Sequence, residues 1–183
     1  MRLAESPRAL WALAAVSFAE SSFFPIPPDP MLIPMVLANR KKAWVFAAVA
    51  TVASVLGGIA GYFIGYSLES LGASILTFYG HADAMGEFQA MFAQWGLWII
   101  LIKGLTPIPY KFVTIASGMA GFDLKIFIMA SIATRGGRFF IIATLLYFFG
   151  EPVRAFIEKR LTLVTTLFVV LLVGGFIALK YIF

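Results

Sequence analysis

The chain contains no cysteine and a single histidine, His81. Disulfides and thiolate metal sites are therefore excluded, and cysteine usage carries no information on redox compartment. A phosphatase built on two histidines cannot be assembled. Ser–His–Asp chemistry would have to recruit His81, which no supporting motif surrounds. The three aspartates, Asp29, Asp83 and Asp123, stand far apart, so no local acidic metal motif exists for phosphotransfer. No Gly-Lys-Ser/Thr phosphate loop is present, so no nucleotide drives a process from this chain. Nothing requires a cofactor, and the chain reads as a non-enzyme.

Charge is also scarce. Only 13% of the 183 residues are charged and 61% are hydrophobic, whereas a soluble domain carries about 25% charged residues. Mean hydropathy is +0.94. The apolar stretches are long and do not alternate with polar residues, which excludes outer-membrane strands. The expected class is an all-α integral membrane protein, multi-pass in the cytoplasmic (inner) membrane. The net charge of +5 is scattered between apolar segments. That distribution suits membrane topology and not nucleic acid. Arg2 and Arg8 ahead of an apolar run ending Ser17-Phe18-Ala19 imitate a signal peptide. The run continues into a proline motif with a partner downstream, which argues against cleavage.

That motif is the most informative feature present. Phe24-Pro25-Ile26-Pro27-Pro28-Asp29 is matched by Thr106-Pro107-Ile108-Pro109-Tyr110-Lys111. Proline removes a backbone donor and clashes with the preceding turn, so each copy breaks a helix. Within a membrane, freed backbone groups are tolerated only where protein or a wet cavity satisfies them. A second pair, Gly57-Gly58 and Gly136-Gly137, follows at nearly the same offset. Corresponding breaks in two halves are a pointer to a transporter-like site.

Charge placement orients the segments. Arg40-Lys41-Lys42 and Arg154, Lys159 and Arg160 form basic loops, with Glu69, Asp83 and Glu87 between them. The positive-inside rule puts the basic loops in the cytoplasm and residues 67–94 outside. Residues 43–66 then cross outward and 126–149 return. Residues 9–39 and 95–122 each begin and end on one side. Half of such a stretch, about 12 helical residues, spans about 18 Å, little more than half the hydrocarbon core. Both read as re-entrant hairpins, turning at Pro25–Pro30 and at Pro107-Ile108-Pro109. They enter from opposite faces, as an inverted-topology repeat. The expected layout is one membrane domain over 1–183: repeat 1 at about 9–68, an interfacial segment at 69–94, repeat 2 at 95–150, and a last span at 161–182. About three helices cross fully. A homo-oligomer is compatible with this layout.

Arg135 and Arg138 lie midway along the 126–149 stretch at i,i+3, on one helix face. An arginine at the bilayer centre costs at least about 2.5 kcal/mol, so both require partners. Two readings stand. Either the pair binds a phosphate, which guanidinium forks hold bidentately, or it pairs with acids and holds the bundle. Glu20 and Asp29 are the acids available, for charge compensation or for proton coupling. Lys103 and Lys111 flank the second break and either widen the basic lining or reach the interface. Pro25, Pro27, Pro28, Pro107 and Pro109 form the hairpin tips. Gly57, Gly61 and Gly65 form a stripe suited to close helix packing. Gly118 and Gly121 either pack closely or end a helix. Trp44, Trp95 and Trp98 read as interface anchors.

These residues resemble the DedA family, the bacterial branch of the SNARE-associated or VTT-domain superfamily, over roughly Phe18 to Gly150. The carriers are Glu20-Ser21-Ser22-Phe23-Phe24-Pro25-Ile26-Pro27-Pro28-Asp29, Lys103-Gly104-Leu105-Thr106-Pro107, Lys111, Ala116-Ser117-Gly118-Met119-Ala120-Gly121 and Phe127. The chain departs from the commoner pattern in having Lys103 and Lys111 where arginines are usual. Its Arg135-Gly136-Gly137-Arg138 element is similar to a short YqaA-type subgroup. The resemblance implies two re-entrant hairpins and movement of lipids between leaflets, with undecaprenyl phosphate or a phospholipid as cargo. The expected partner is thus a membrane lipid with an anionic phosphate headgroup, moved by a flippase- or scramblase-like translocase. A proton-coupled small-ion carrier or channel, and a non-transporting membrane assembly or homeostasis factor, are the alternatives.

Overall fold

The structure is a computed structural model and describes residues 7–24, 27–78, 84–105 and 110–159. Six helices follow in order: α1 Pro7–Ser22, α2 Asp29–Ala38, α3 Ala43–Phe78, α4 Ala84–Leu105, α5 Tyr110–Met119 and α6 Leu124–Lys159. A short 3-10 turn, Arg40–Lys42, joins α2 to α3. Among the described residues there is no strand, as the composition predicts. Among the described residues two stretches are long and apolar enough to cross a membrane, Arg40–Leu71 and Leu124–Gly150.

The first proline motif lies at a helix break, and the prolines of the second fall between α4 and α5, outside the described residues. α1 stops at Ser22, and α2 starts at Asp29 with Pro28 as its cap and Pro30 in its first turn. Proline suits that place because the N–H it lacks has no partner in a first turn. The carbonyl of Pro28 accepts the N–H groups of Met31 and Leu32, both at 2.9 Å, and starts the helix. α4 stops at Leu105 and α5 starts at Tyr110. Pro25, Pro107 and Pro109 themselves lie outside the described residues, as do His81, Asp83 and the expected span at 161–182.

Two segments differ from the sequence reading. The stretch 69–94 is not a separate element: its first part completes α3 and its last part opens α4. Few charges and no proline interrupt either helix there, so backbone hydrogen bonding carries each onward. Gln89 of α4 donates to Glu69 of α3 at 2.7 Å across the junction. The basic segment after residue 149 is also helical, since α6 continues to Lys159 across a kink at Phe149. Pro152 explains the kink. It cannot bond the carbonyl four residues back, and its ring pushes that carbonyl aside.

α3 packs against α1, α5 and α6, and α6 packs in addition against α2 and α4. Exchanging the first three helices with the last three carries the α1–α3 contact onto α4–α6, and α5–α3 onto α2–α6. The glycine stripe makes the α3 contacts close. A methyl group added at Gly57 would strike the carbonyl of Phe18 on α1, and one at Gly65 the carbonyl of Ile115 on α5. At Gly61 it would meet both Thr114 of α5 and the Ser21 carbonyl of α1. Gly118 stands against the Tyr62 carbonyl from the other side. The small-residue stripe is thus the seat of both broken segments on α3. Gly121 ends α5 with a positive φ of 62°, a conformation side chains disfavour. Asp123 then caps α6 by accepting the N–H of Ile126 at 2.9 Å.

Two apolar clusters flank the middle of the molecule. One gathers Leu13 of α1, Leu32 and Val36 of α2, Phe46 and Ala50 of α3 and Phe139 and Ala143 of α6. The other gathers Tyr62, Ile100, Tyr110, Val113 and Phe127. Trp44, Trp95 and Trp98 are exposed on the outer face.

Candidate functional site

Between these clusters lie the charges. Arg135 and Arg138 sit one turn apart on α6, and each finds an acid from the first half of the chain. Arg135 donates to Glu20 of α1 at 2.7 Å. Arg138 pairs with Asp29, the first residue of α2. Glu20, Asp29, Arg135 and Arg138 are therefore brought together as two ion pairs.

The two pairs differ in access. The side chains of Arg135 and Glu20 are 3% and 6% exposed, against 21% and 18% for Arg138 and Asp29. Arg135 is also held on its remaining sides. Its Nε donates to Ser54 Oγ of α3 at 2.6 Å. Its guanidinium lies 5.0 Å from the ring centre of Tyr110 and 4.9 Å from that of Phe139, within cation–π range. Ser54 in turn shares a 2.6 Å hydrogen bond with Ser21. A buried charge is tolerable only when so paired and hydrogen-bonded. Arg135 is a sealed group, and the geometry separates it from Arg138 although the sequence presents the two alike.

Asp29 is less completely satisfied. Its Oδ2 holds Arg138 while its Oδ1 is buried without a hydrogen-bond partner. Ser17 Oγ on α1 is the other buried polar side-chain atom in that condition among the described residues. An unpartnered buried acceptor is costly, so Asp29 is the acid of the site that keeps an unused acceptor oxygen.

The broken ends are tied to each other as well. Glu20 Oε1 accepts the backbone N–H of Tyr110, the first residue of α5, at 3.1 Å. Lys111 reaches back to the carbonyl of Phe23, just past the end of α1, at 3.4 Å. The Thr114 hydroxyl lies 2.9 Å from the carbonyl of Ser21 and 2.9 Å from that of Lys111 in its own helix, sharing one proton between them. Tyr110 is anchored through its hydroxyl to Ser131 of α6 at 2.7 Å. Lys111 thus serves the α1 end in this structure. Lys103 falls in the last turns of α4, and its side chain lies outside the described residues. Pro28 is buried and Pro27 partly so.

Sequence reading found the charged members and missed the hydroxyls. Ser21, Ser54, Tyr110, Thr114 and Ser131 are buried and lie around the Glu20–Arg135 pair. The signal was there in the run Glu20-Ser21-Ser22 and in Ser54 on the small-residue face of α3. Isolated serines in apolar helices also occur as backbone-bonded residues without function, so spacing alone did not separate them. No group of residues able to hold a metal ion occurs among the described residues.

Comparison with known proteins identifies a family and two relatives. The model of the VTT domain matches residues 26–148. An uncharacterized protein of Haemophilus influenzae is 37% identical over 172 residues, covering 94% of this chain and 90% of that protein. A protein of Histophilus somni described as an uncharacterized HI0703 homolog is 32% identical over 180 residues, covering 98% of this chain and 94% of its own length. No solved structure matches.

Proposed function

The chain belongs to the VTT-domain family of the DedA type, and on that premise we propose that it is a lipid translocase moving a lipid phosphate between leaflets. The family is associated with membrane transport or homeostasis. The observation that carries the finer reading is the partial exposure of the Asp29–Arg138 pair beside a sealed one, which leaves a guanidinium within reach of an anion. A charge kept in a membrane segment without being sealed is a functional-site hypothesis by default.

In this reading α1–α2 and α4–α5 are the two re-entrant hairpins of an inverted repeat. The α1–α3 and α4–α6 contacts, and the α3–α5 and α2–α6 contacts, are consistent with that relation, whereas α4–α5, α1–α5 and α2–α3 have no comparable counterpart among the described residues. A phosphate headgroup reaches Arg138, whose planar fork holds two phosphate oxygens at once. The acyl or prenyl chain stays among the lipids. Asp29 neutralises Arg138 while the site is empty. When the anion takes over that role, Asp29 is released from Arg138. Arg135 serves the framework. Lys103 and Lys111 add positive charge beside the second break.

The test is reconstitution. Purified protein in liposomes is assayed for movement of a labelled prenyl phosphate, and separately of a labelled phospholipid. Wild-type protein moves at least one of them, and Arg138→Ala moves neither. A folded wild type that moves neither removes the reading. Movement unchanged in Arg138→Ala removes that arginine from it.

A further inference from the structure

Glu20 stands apart because its two oxygens serve different elements. Oε2 takes Arg135 at 2.7 Å and Ser21 Oγ at 3.1 Å, while Oε1 takes the N–H of Tyr110 at 3.1 Å. That N–H opens α5 and is one of the first-turn donors with no partner inside its own helix. A carboxylate there is favoured twice, by the hydrogen bond and by the positive end of the helix dipole. The reverse traffic is present too. Near the C-terminal end of α1, the carbonyls of Ser21 and Phe23 are taken by Thr114 at 2.9 Å and Lys111 at 3.4 Å, both from α5. The end of α1 and the start of α5 thus exchange caps. The Gly61 close approach, where Thr114 and the Ser21 carbonyl converge, locks the same joint against α3.

We propose that Glu20 is a positioning residue: it holds the start of α5 against the end of α1 and meets neither the ligand nor a transported proton. Every described hydrogen bond of its carboxylate is internal, and its side chain is 6% exposed. Asp29, one break further on, keeps a buried oxygen without a partner. The two acids that the sequence presents as a set have separate tasks. Glu20 sets where α5 begins and so where Lys111 and Tyr110 stand. Asp29 alone exchanges partners. The structural half of this inference is independent of the transport reading, and its functional half rests on it.

Two measurements on the full chain in lipid nanodiscs and liposomes decide it. The first is hydrogen exchange at the Tyr110 amide. Glu20→Ala removes the acceptor, and exchange there rises at least tenfold. The paired variant Glu20→Gln with Arg135→Met avoids leaving a buried charge unpaired. Its amide oxygen still accepts from Tyr110 and its amide nitrogen faces Ser21, so exchange stays within about threefold of wild type. The second is movement of labelled prenyl phosphate across pH. The paired variant keeps the wild-type rate within about twofold and keeps its pH profile, because a neutral acceptor suffices for positioning. Loss of movement or of pH dependence in a paired variant with a protected Tyr110 amide overturns the proposal. So does unchanged exchange in Glu20→Ala. If the wild type moves no lipid, the transport reading falls and the exchange rates alone uphold or overturn the positioning role.

Discussion

Asp29 at the start of α2 and Arg138 on α6 form an ion pair that remains partly open, one helical turn from a second pair that is closed. The acid of each pair comes from the first half of the chain and the base from the second. The charges therefore join the halves as well as offering a site. That arrangement makes the consequences of substitution unequal between residues of the same type.

Arg135→Ala destabilises the protein by about 3–5 kcal/mol, because Glu20 is left buried with its charge uncompensated. Arg138→Ala costs less, about 1–3 kcal/mol, since Asp29 loses its partner but stays partly exposed. Denaturant titration of both variants in detergent checks the contrast. Equal losses would mean the two pairs share the framework role.

Asp29→Asn strengthens binding of a short-chain prenyl phosphate by roughly tenfold, equivalent to about 1.4 kcal/mol. The substitution removes the internal anion that competes for Arg138. Titration calorimetry reads the affinity, and the same variant moves lipid more slowly because release no longer has a competitor. Weaker binding would show that Asp29 attracts the ligand instead of competing with it.

Gly118→Ala destabilises by at least about 3 kcal/mol, the upper end of usual overpacking costs, because the new methyl meets the Tyr62 backbone and not a movable side chain. Gly86→Ala on α4 meets nothing within 4 Å and gains about 0.5–1 kcal/mol through helix propensity. Thermal unfolding of the two variants should move in opposite directions.

Ser21→Cys with Ser54→Cys gives a disulfide on mild oxidation. The hydroxyl oxygens are already 2.6 Å apart, close to the roughly 2.05 Å sulfur separation required. The absence of native cysteine makes the result unambiguous. A reduction-sensitive mobility shift after proteolysis between α1 and α3 reports the bond. Failure to form it would place the two helices further apart than described here.

Much of the helical layout was legible beforehand. The breaks after Ser22 and after Leu105 follow from proline, whose missing N–H and fixed ring act locally. The α3 glycine stripe was legible as a packing face because its spacing repeats every four residues. The continuity of α3 into residue 78 and of α6 past Phe149 was not. There the polar residues that suggest an interface or a loop are also compatible with a helix, and the sequence pattern does not choose. The hydroxyl shell around Arg135 was invisible for another reason: each serine or threonine is ordinary until a charge is placed beside it.

The sequence by itself determined the class, the positions of the two breaks and the inventory of acids and bases. These depend on composition and on the chemistry of a few adjacent residues. Only the tertiary structure decided which acid meets which base. Glu20 and Arg135 are 115 residues apart in the chain, and Asp29 and Arg138 are 109 apart. No local preference acts over such distances, and the pairs are set by how α1 and α2 come to lie beside α6. The structure also decided that one arginine is buried and the other partly exposed. Burial is a property of the assembled bundle, and two arginines three residues apart carry no sign of it until the helices around them are in place.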